Sequence, residues 1–156
     1  MSKSNEPLQE RLLTAWLSVS AMLKSSRMTK GLTYNEAVVM KLVFDRYKQD
    51  GVGKTAIQSV LKCTNMLKSQ VNRTVNALCA QGYLRKERDV EDGRSLFVRL
   101  VPEHLPDFLA VHRRSLDIAQ HVIDVIGEAD AASFARICEK LAAAGMPLPP
   151  KREKES

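Results

Sequence analysis

Ser69, Gln70, Asn72, Arg73 and Asn76 fall on one side when Leu67 to Gln81 is wound as a helix. Leu67, Val71, Thr74, Val75 and Leu78 fall on the other. The polar set can donate to or accept from base edges, with Arg matching guanine and Asn or Gln matching adenine. No carboxylate, which phosphate would repel, interrupts that face. Taken alone, it fits a solvated amphipathic helix as well as a reader of duplex DNA. Its neighbours separate the two.

Gly82 stands where a left-handed cap would end this helix. Tyr83 to Lys86 reads as a strand, and Ser95 to Leu100 as its partner, since Leu96, Val98 and Leu100 alternate with Phe97 and Arg99. Between them Asp92-Gly93 signals a hairpin turn. A lone hairpin is marginal in water, so it must lean on the preceding helices. Helix, helix and a protruding basic hairpin describe a winged helix-turn-helix. In that reading Ser69, Gln70, Asn72 and Arg73 address the major groove. Lys68 and the first backbone N–H groups of the helix hold phosphate. Arg88 and Arg94 reach the flanking backbone or minor groove, steadied by Glu87, Asp89, Glu91 and Asp92.

The remaining pattern supplies a frame for this unit. A first helix is expected over residues 8–30, with Leu12, Trp16, Val19 and Leu23 on one side and Gly31 breaking it. Thr33 and Glu36 make a capping box for a second helix that buries Val39, Val43 and Tyr47. A short third helix is expected near 54–62, and Thr64 or Asn65 can cap the polar-faced one. A long helix is expected over about 103–126, and a last one near 128–143 burying Phe134, Ile137, Cys138 and Leu141. Residues 145–156 read as a disordered tail.

Along the long helix Leu105, Leu109, His112, Leu116, Ala119, Ile123 and Ile126 follow alternating steps of four and three. Such a seam packs helices at shallow angles. The expectation is that residues 8–30 and 103–144 interlock with those of a second copy. A homodimer would also place two recognition helices about one duplex turn apart.

The chain of 156 residues is 44% hydrophobic and 27% charged, an ordinary globular composition with a formal charge of +6. From Lys62 to Arg99 eight Lys or Arg stand against four Asp or Glu, so most of the excess sits on the candidate reader. The polar N-terminus does not read as a signal peptide, and no apolar run approaches the ~18 residues that span a bilayer. Cys63, Cys79 and Cys138 are too scattered for a disulfide framework. The expectation is a cytoplasmic protein with reduced thiols.

Other chemistry is thinly represented. His104, His112 and His121 lie eight and nine residues apart, which does not put two imidazoles on one helical face, so no metal is expected. His112 occupies a seam position. It is read as a satisfied interface histidine, or as one that pairs across the dimer or lines a pocket between the dimer base and the DNA-reading lobe; Trp16 and Tyr34 are candidate borders of a small-molecule pocket, and both are also read as core. Cys63, beside Lys62 before the recognition helix, is a redox candidate set against an inert thiol. Gly51-Val52-Gly53-Lys54 lacks P-loop spacing, and no HExxH, CxxC or Ser-His-Asp arrangement occurs. Neither an enzyme nor a cofactor is expected.

The stretch from Leu78 to Leu100 resembles the MarR (multiple-antibiotic-resistance regulator) family. The match is a leucine, a glycine and an aliphatic pair, then a wing with Asp89, Asp92 and Arg94 in an Asp-x-x-Asp-x-Arg pattern, then the alternating strand. The order of elements extends the resemblance over about 8–144. Gly93 stands where many members carry a wing arginine, which leaves the minor-groove contact to Arg94 or Arg88, or else weakens it. Val101-Pro102 replaces the threonine that usually opens the next helix. Members that sense oxidants do so through a first-helix cysteine, and this first helix has none.

The resemblance implies one mainly α domain over 1–156. It comprises a winged helix-turn-helix lobe with a small β-hairpin wing over 33–100 and a helical dimerisation lobe. It implies a homodimeric repressor of palindromic operators, released by a small-molecule effector. The alternative is a winged-helix module that holds a protein partner; it would tolerate acids on the recognition face.

Overall fold

A computed structural model describes residues 6–25 and 31–145. In chain order the elements are α1 (Leu8–Lys24), α2 (Tyr34–Asp50), β1 (Thr55–Ala56), α3 (Ile57–Thr64), α4 (Lys68–Ala80), β2 (Leu84–Arg88), β3 (Leu96–Leu100), α5 (Leu105–Ile126) and α6 (Glu128–Ala144). A single 3₁₀ turn, Pro102–His104, precedes α5. The architecture is mainly α with a small antiparallel sheet, a winged helix. The chain divides into two units at Ser115 and Leu116, within α5.

The first unit holds the closed core. Thr33 opens α2 through the expected capping box: the Glu36 N–H donates to Thr33 Oγ1 at 3.2 Å, and the Thr33 N–H donates to Glu36 Oε2 at 3.3 Å. Helical spacing then puts Val39, Met40, Val43 and Phe44 on one stripe, all buried. Against it lie Val60 of α3, Val71, Val75 and Leu78 of α4, and Leu84, Val98 and Leu100 of the sheet. Each such side chain contributes about 1.5–3 kcal/mol when withdrawn from water. Phe108, the sole buried residue of α5, completes the cluster.

The wing is built on three strands, not two. β3 lies between β1 and β2, pairing Thr55 with Val98 on one side and Leu84 with Leu100 on the other, both antiparallel. Residues 55–56 were expected inside the third helix; instead they add an edge to the hairpin, which a two-stranded ribbon needs for stability. The third helix correspondingly begins at Ile57 and runs to Thr64.

One further expectation is corrected. α6 buries none of Phe134, Ile137, Cys138 or Leu141; Phe134 is 49% and Ile137 47% exposed. An apolar helical stripe specifies that something should cover it, but among the described residues of the second unit nothing does so. α1 likewise has no buried residue, and its Leu12 is 63% exposed. It ends at Lys24 with Ser25 extended; the expected extension over 26–30, and the tail from 146 onward, lie outside the described residues.

Candidate nucleic-acid interface

α4 is keyed into the core by Val71, Thr74, Val75 and Leu78, which fixes its rotation about its own axis. Lys68, Ser69, Gln70, Asn72, Arg73 and Asn76 are consequently all exposed on one surface. That surface extends over a run poor in negative charge. From Gly51 to Lys86 the chain contains no Asp or Glu, while Lys54, Lys62, Lys68, Arg73, Arg85 and Lys86 fall within it. Uncompensated cations on a shaped surface raise the local concentration of an anionic partner.

The start of α4 is capped in an unexpected way. The Leu67 N–H donates to Gln70 Oε1 at 2.9 Å, so Gln70 closes the first turn of its own helix. Thr64 and Asn65 are not the cap. α3 runs to Thr64, whose hydroxyl donates to the Val60 carbonyl at 2.7 Å, and Asn65 ends α3 in a left-handed conformation (φ 54°). Arg73 and Gln70 border a groove of about 570 Å³ that Tyr34 and Asn35 of α2 and Lys24 of α1 also line.

Gly82 turns the chain from α4 into the wing with φ 84°. Its N–H donates to the Cys79 carbonyl and the Tyr83 N–H to the Leu78 carbonyl, both at 3.0 Å, the Schellman arrangement. A Cβ at this position would lie 2.9 Å from His104 Nε2 and would displace that half-exposed ring, while the positive φ is what favours glycine here.

The wing uses its carboxylates differently from the expectation. Asp92 Oδ1 accepts the N–H groups of Arg94 at 2.8 Å and Ser95 at 2.9 Å, and its Oδ2 accepts the Ser95 hydroxyl at 2.8 Å. These bonds, the Ser95 and Arg94 N–H groups foremost, hold the Asp92 carboxyl below its usual range. Glu87 lies between Arg85 (3.2 Å) and Arg99 (3.4 Å) on the sheet face away from the core. The acids thus build the loop backbone and pair arginines in the strands. Neither Arg88 nor Arg94 has a carboxylate partner among the described residues, because Asp92 is consumed by the turn. Arg88 donates to the Gly93 carbonyl at 3.3 Å, and Arg94 is exposed.

A side-chain hydrogen bond also joins α4 to the wing: Lys86 Nζ of β2 donates to Asn76 Oδ1 of α4. Lys86 was absent from the expected site. The parity of the strand could have found it, since Leu84 and Lys86 share a face and Leu84 is buried. Lys54, also absent, caps the Phe97 ring on the opposite face, 4.3 Å from its centroid.

The candidates outside the reader have separate surroundings. His112 stacks on Phe108 (centroids 5.8 Å apart) and tilts against Phe44 (5.4 Å). Burial, then Lys41 and Lys48, push its pKa down, with Asp45 opposing. Trp16 is 43% exposed on α1. Cys63 is exposed in the last turn of α3, not in the turn before α4, so it lacks the helix N-terminus that its redox reading relied on. Cys79 is half-buried beside Lys86, and burial pushes its thiol up. Among the described residues no cluster of His, Cys, Asp and Glu could hold a metal ion. No described helix is long and apolar enough to cross a membrane.

Solved structures of regulators share this fold. The MarR-family transcriptional regulator AbsC from Streptomyces coelicolor superposes with a TM-score of 0.68 at 17% identity, over 92% of this chain and 97% of that one. BpsR from Bordetella bronchiseptica, whose DNA binding is regulated by 6-hydroxynicotinic acid, gives 0.68 at 19% over 91% and 97%. The organohalide-sensing regulator RdhR-CbdbA1625 in its ligand-free form gives 0.72 at 13% over 97% and 89%. These bear out the MarR resemblance at the level of the fold. No curated protein matches the chain. Residues 21–104, which include α2, α3, α4 and the whole wing, match the family described as transcriptional regulator SarA/Rot. The chain belongs to the SarA/Rot family of transcriptional regulators.

Proposed function

We propose that this regulator binds double-stranded DNA as a homodimer, reads a palindromic operator and represses the genes beside it. The observation that carries the reading is α4 itself. Its inner face is locked in the core, and its outer face offers amides, a hydroxyl and Arg73 within a run free of carboxylates. Ser69, Gln70, Asn72 and Arg73 address base edges and Lys68 a phosphate, while Arg88 and Arg94 approach the flanking backbone or minor groove. A Gln70 that closes its own helix through Oε1 offers its amide nitrogen to a base, a donor and not an adenine clamp.

The second copy is argued from the exposed apolar side chains of α1, α5 and α6, among them Leu12, Leu116 and Phe134. Two joined chains present two recognition helices to successive turns of one groove. A regulator seated on a promoter excludes polymerase, which makes repression the simplest sign, and access to the chromosome makes it cytoplasmic. Solved relatives of this fold respond to small molecules, as BpsR does to 6-hydroxynicotinic acid, so an effector belongs to the proposal. His112 and Trp16 remain its candidate contacts. It would act by biasing an equilibrium between two arrangements of the dimer.

Genome-wide recovery of protected fragments, followed by footprinting, tests the reading. A two-fold symmetric footprint upstream of regulated genes is expected. Protein that protects no sequence, and is monomeric by sedimentation at micromolar concentration, would instead mark a module for a protein partner.

A further inference from the structure

Lys86 sits where a strand would ordinarily place an apolar residue. Along β2 the register pairs Leu84 with Leu100, Lys86 with Val98 and Arg88 with Leu96. Leu84, Leu100 and Val98 are buried, so Lys86 shares the sheet face that carries the core. A lysine there must run its methylene stem along its neighbours until the ammonium finds water or a partner. The Lys86 backbone N–H meets the sulfur of half-buried Cys79, and its exposed side chain ends on Asn76, one helical turn earlier on the exposed face of α4.

We propose that Lys86 is a positioning residue for Asn76, and that together they make one base position of each half-site selective for an acceptor and closed to cytosine. The proposal rests on α4 being the groove reader and adds which group of which residue meets the base. An unpartnered asparagine amide can turn either end outward, so it accepts from one base as readily as it donates to another. An ammonium bears only donors, so it can hold only the oxygen end. With Oδ1 drawn to the wing, Nδ2 is the end left for the groove. Adenine N7, guanine N7 and O6, and thymine O4 satisfy it, whereas cytosine shows only its N4–H₂ donor.

The test begins with operators selected by the wild-type chain from a randomised duplex pool. The base pair under Asn76 is the one whose preference Asn76→Ala abolishes, and binding is then measured for all four base pairs there. Wild type is expected to reject cytosine about tenfold, the lower range of what one good base contact supplies. Lys86→Met should erase that discrimination and leave preferences elsewhere in the half-site intact. Lys86→Arg, which keeps a donor on the strand, should restore it. The pairing is overturned if Lys86→Met weakens every sequence alike, lowers the salt slope by about one and keeps the rejection of cytosine, the signature of a phosphate contact. It is also overturned if Asn76→Ala removes no preference. A wild-type chain that selects no sequence at all refutes the groove reading first, and the pair falls with it.

Discussion

The winged lobe and the terminal helices draw on similar apolar residues and use them in opposite ways. In the lobe, Val39, Met40, Val43, Val60, Val71, Val75, Leu78 and Val98 are sealed from water. In α1 and α6 no residue is buried, although Leu12, Trp16, Phe134 and Ile137 repeat at helical spacing. The first pattern is a core that one chain completes by itself. The second is an apolar face that nothing among the described residues covers. The contrast shows that periodicity reports which side of a helix avoids water, and that the identity of the cover lies elsewhere.

Truncation within the lobe gives the largest effect on the fold. Leu78→Ala should destabilise the chain by about 2–5 kcal/mol, because the cavity opens where nothing can collapse into it. The loss should be independent of protein concentration in urea titrations of a two-state lobe. Leu116 offers the matching experiment in α5, where it is 54% exposed. Leu116→Asp should leave the fold of the single chain nearly untouched and abolish assembly, since an unpaired charge would be trapped in an apolar interface. Sedimentation should find a monomer, and operator binding should be lost although no DNA-facing group has changed. A stable dimer of Leu116→Asp would erase the contrast between the two regions.

A smaller effect belongs to the exposed side of α4. Arg73→Ala should cost about 1–3 kcal/mol of specific binding, read by gel shift, with the thermal midpoint unchanged. The smallest concerns the aromatic contact of His112. Its folded pKa lies below the ordinary histidine value of 6.5, so its contribution to stability is present above that value. It should be lost as pH falls through 6.5 toward the lowered pKa, because the unfolded chain then binds the proton more readily. His112→Gln should flatten that part of the curve of denaturation midpoint against pH. An unchanged curve would remove the imidazole as its cause.

Features governed by near neighbours were legible in the sequence. Thr33 with Glu36, Gly82 after α4, and the alternation of Leu96, Val98 and Leu100 depend on residues a few positions away. β1 was not legible, because two residues became a strand only by pairing with Val98 and Phe97, some forty positions later. The polar face of α4 was legible, but the use of each group was not. A glutamine one turn into a helix serves a cap or a base equally well until its oxygen is located. The carboxylates of the wing posed the same ambiguity. Sequence places Asp92 beside Arg94, and only the folded loop shows it gripping backbone N–H groups instead of the guanidinium.

The glycine hinge after α4 carries a consequence for control. Tyr83 follows it directly into β2, with the His104 ring closing off its α-carbon. α4 and the wing are therefore joined by one Schellman turn, with only Gln81, Gly82 and Tyr83 between them. In the proposed dimer so short a join would keep the interval between the contacts of each half nearly constant, as the gap between two teeth is of a comb. An effector of the proposed kind would then leave that interval as it is. It would act on the phase between the two combs, by moving one whole lobe against the other until both no longer fall on the same face of the duplex.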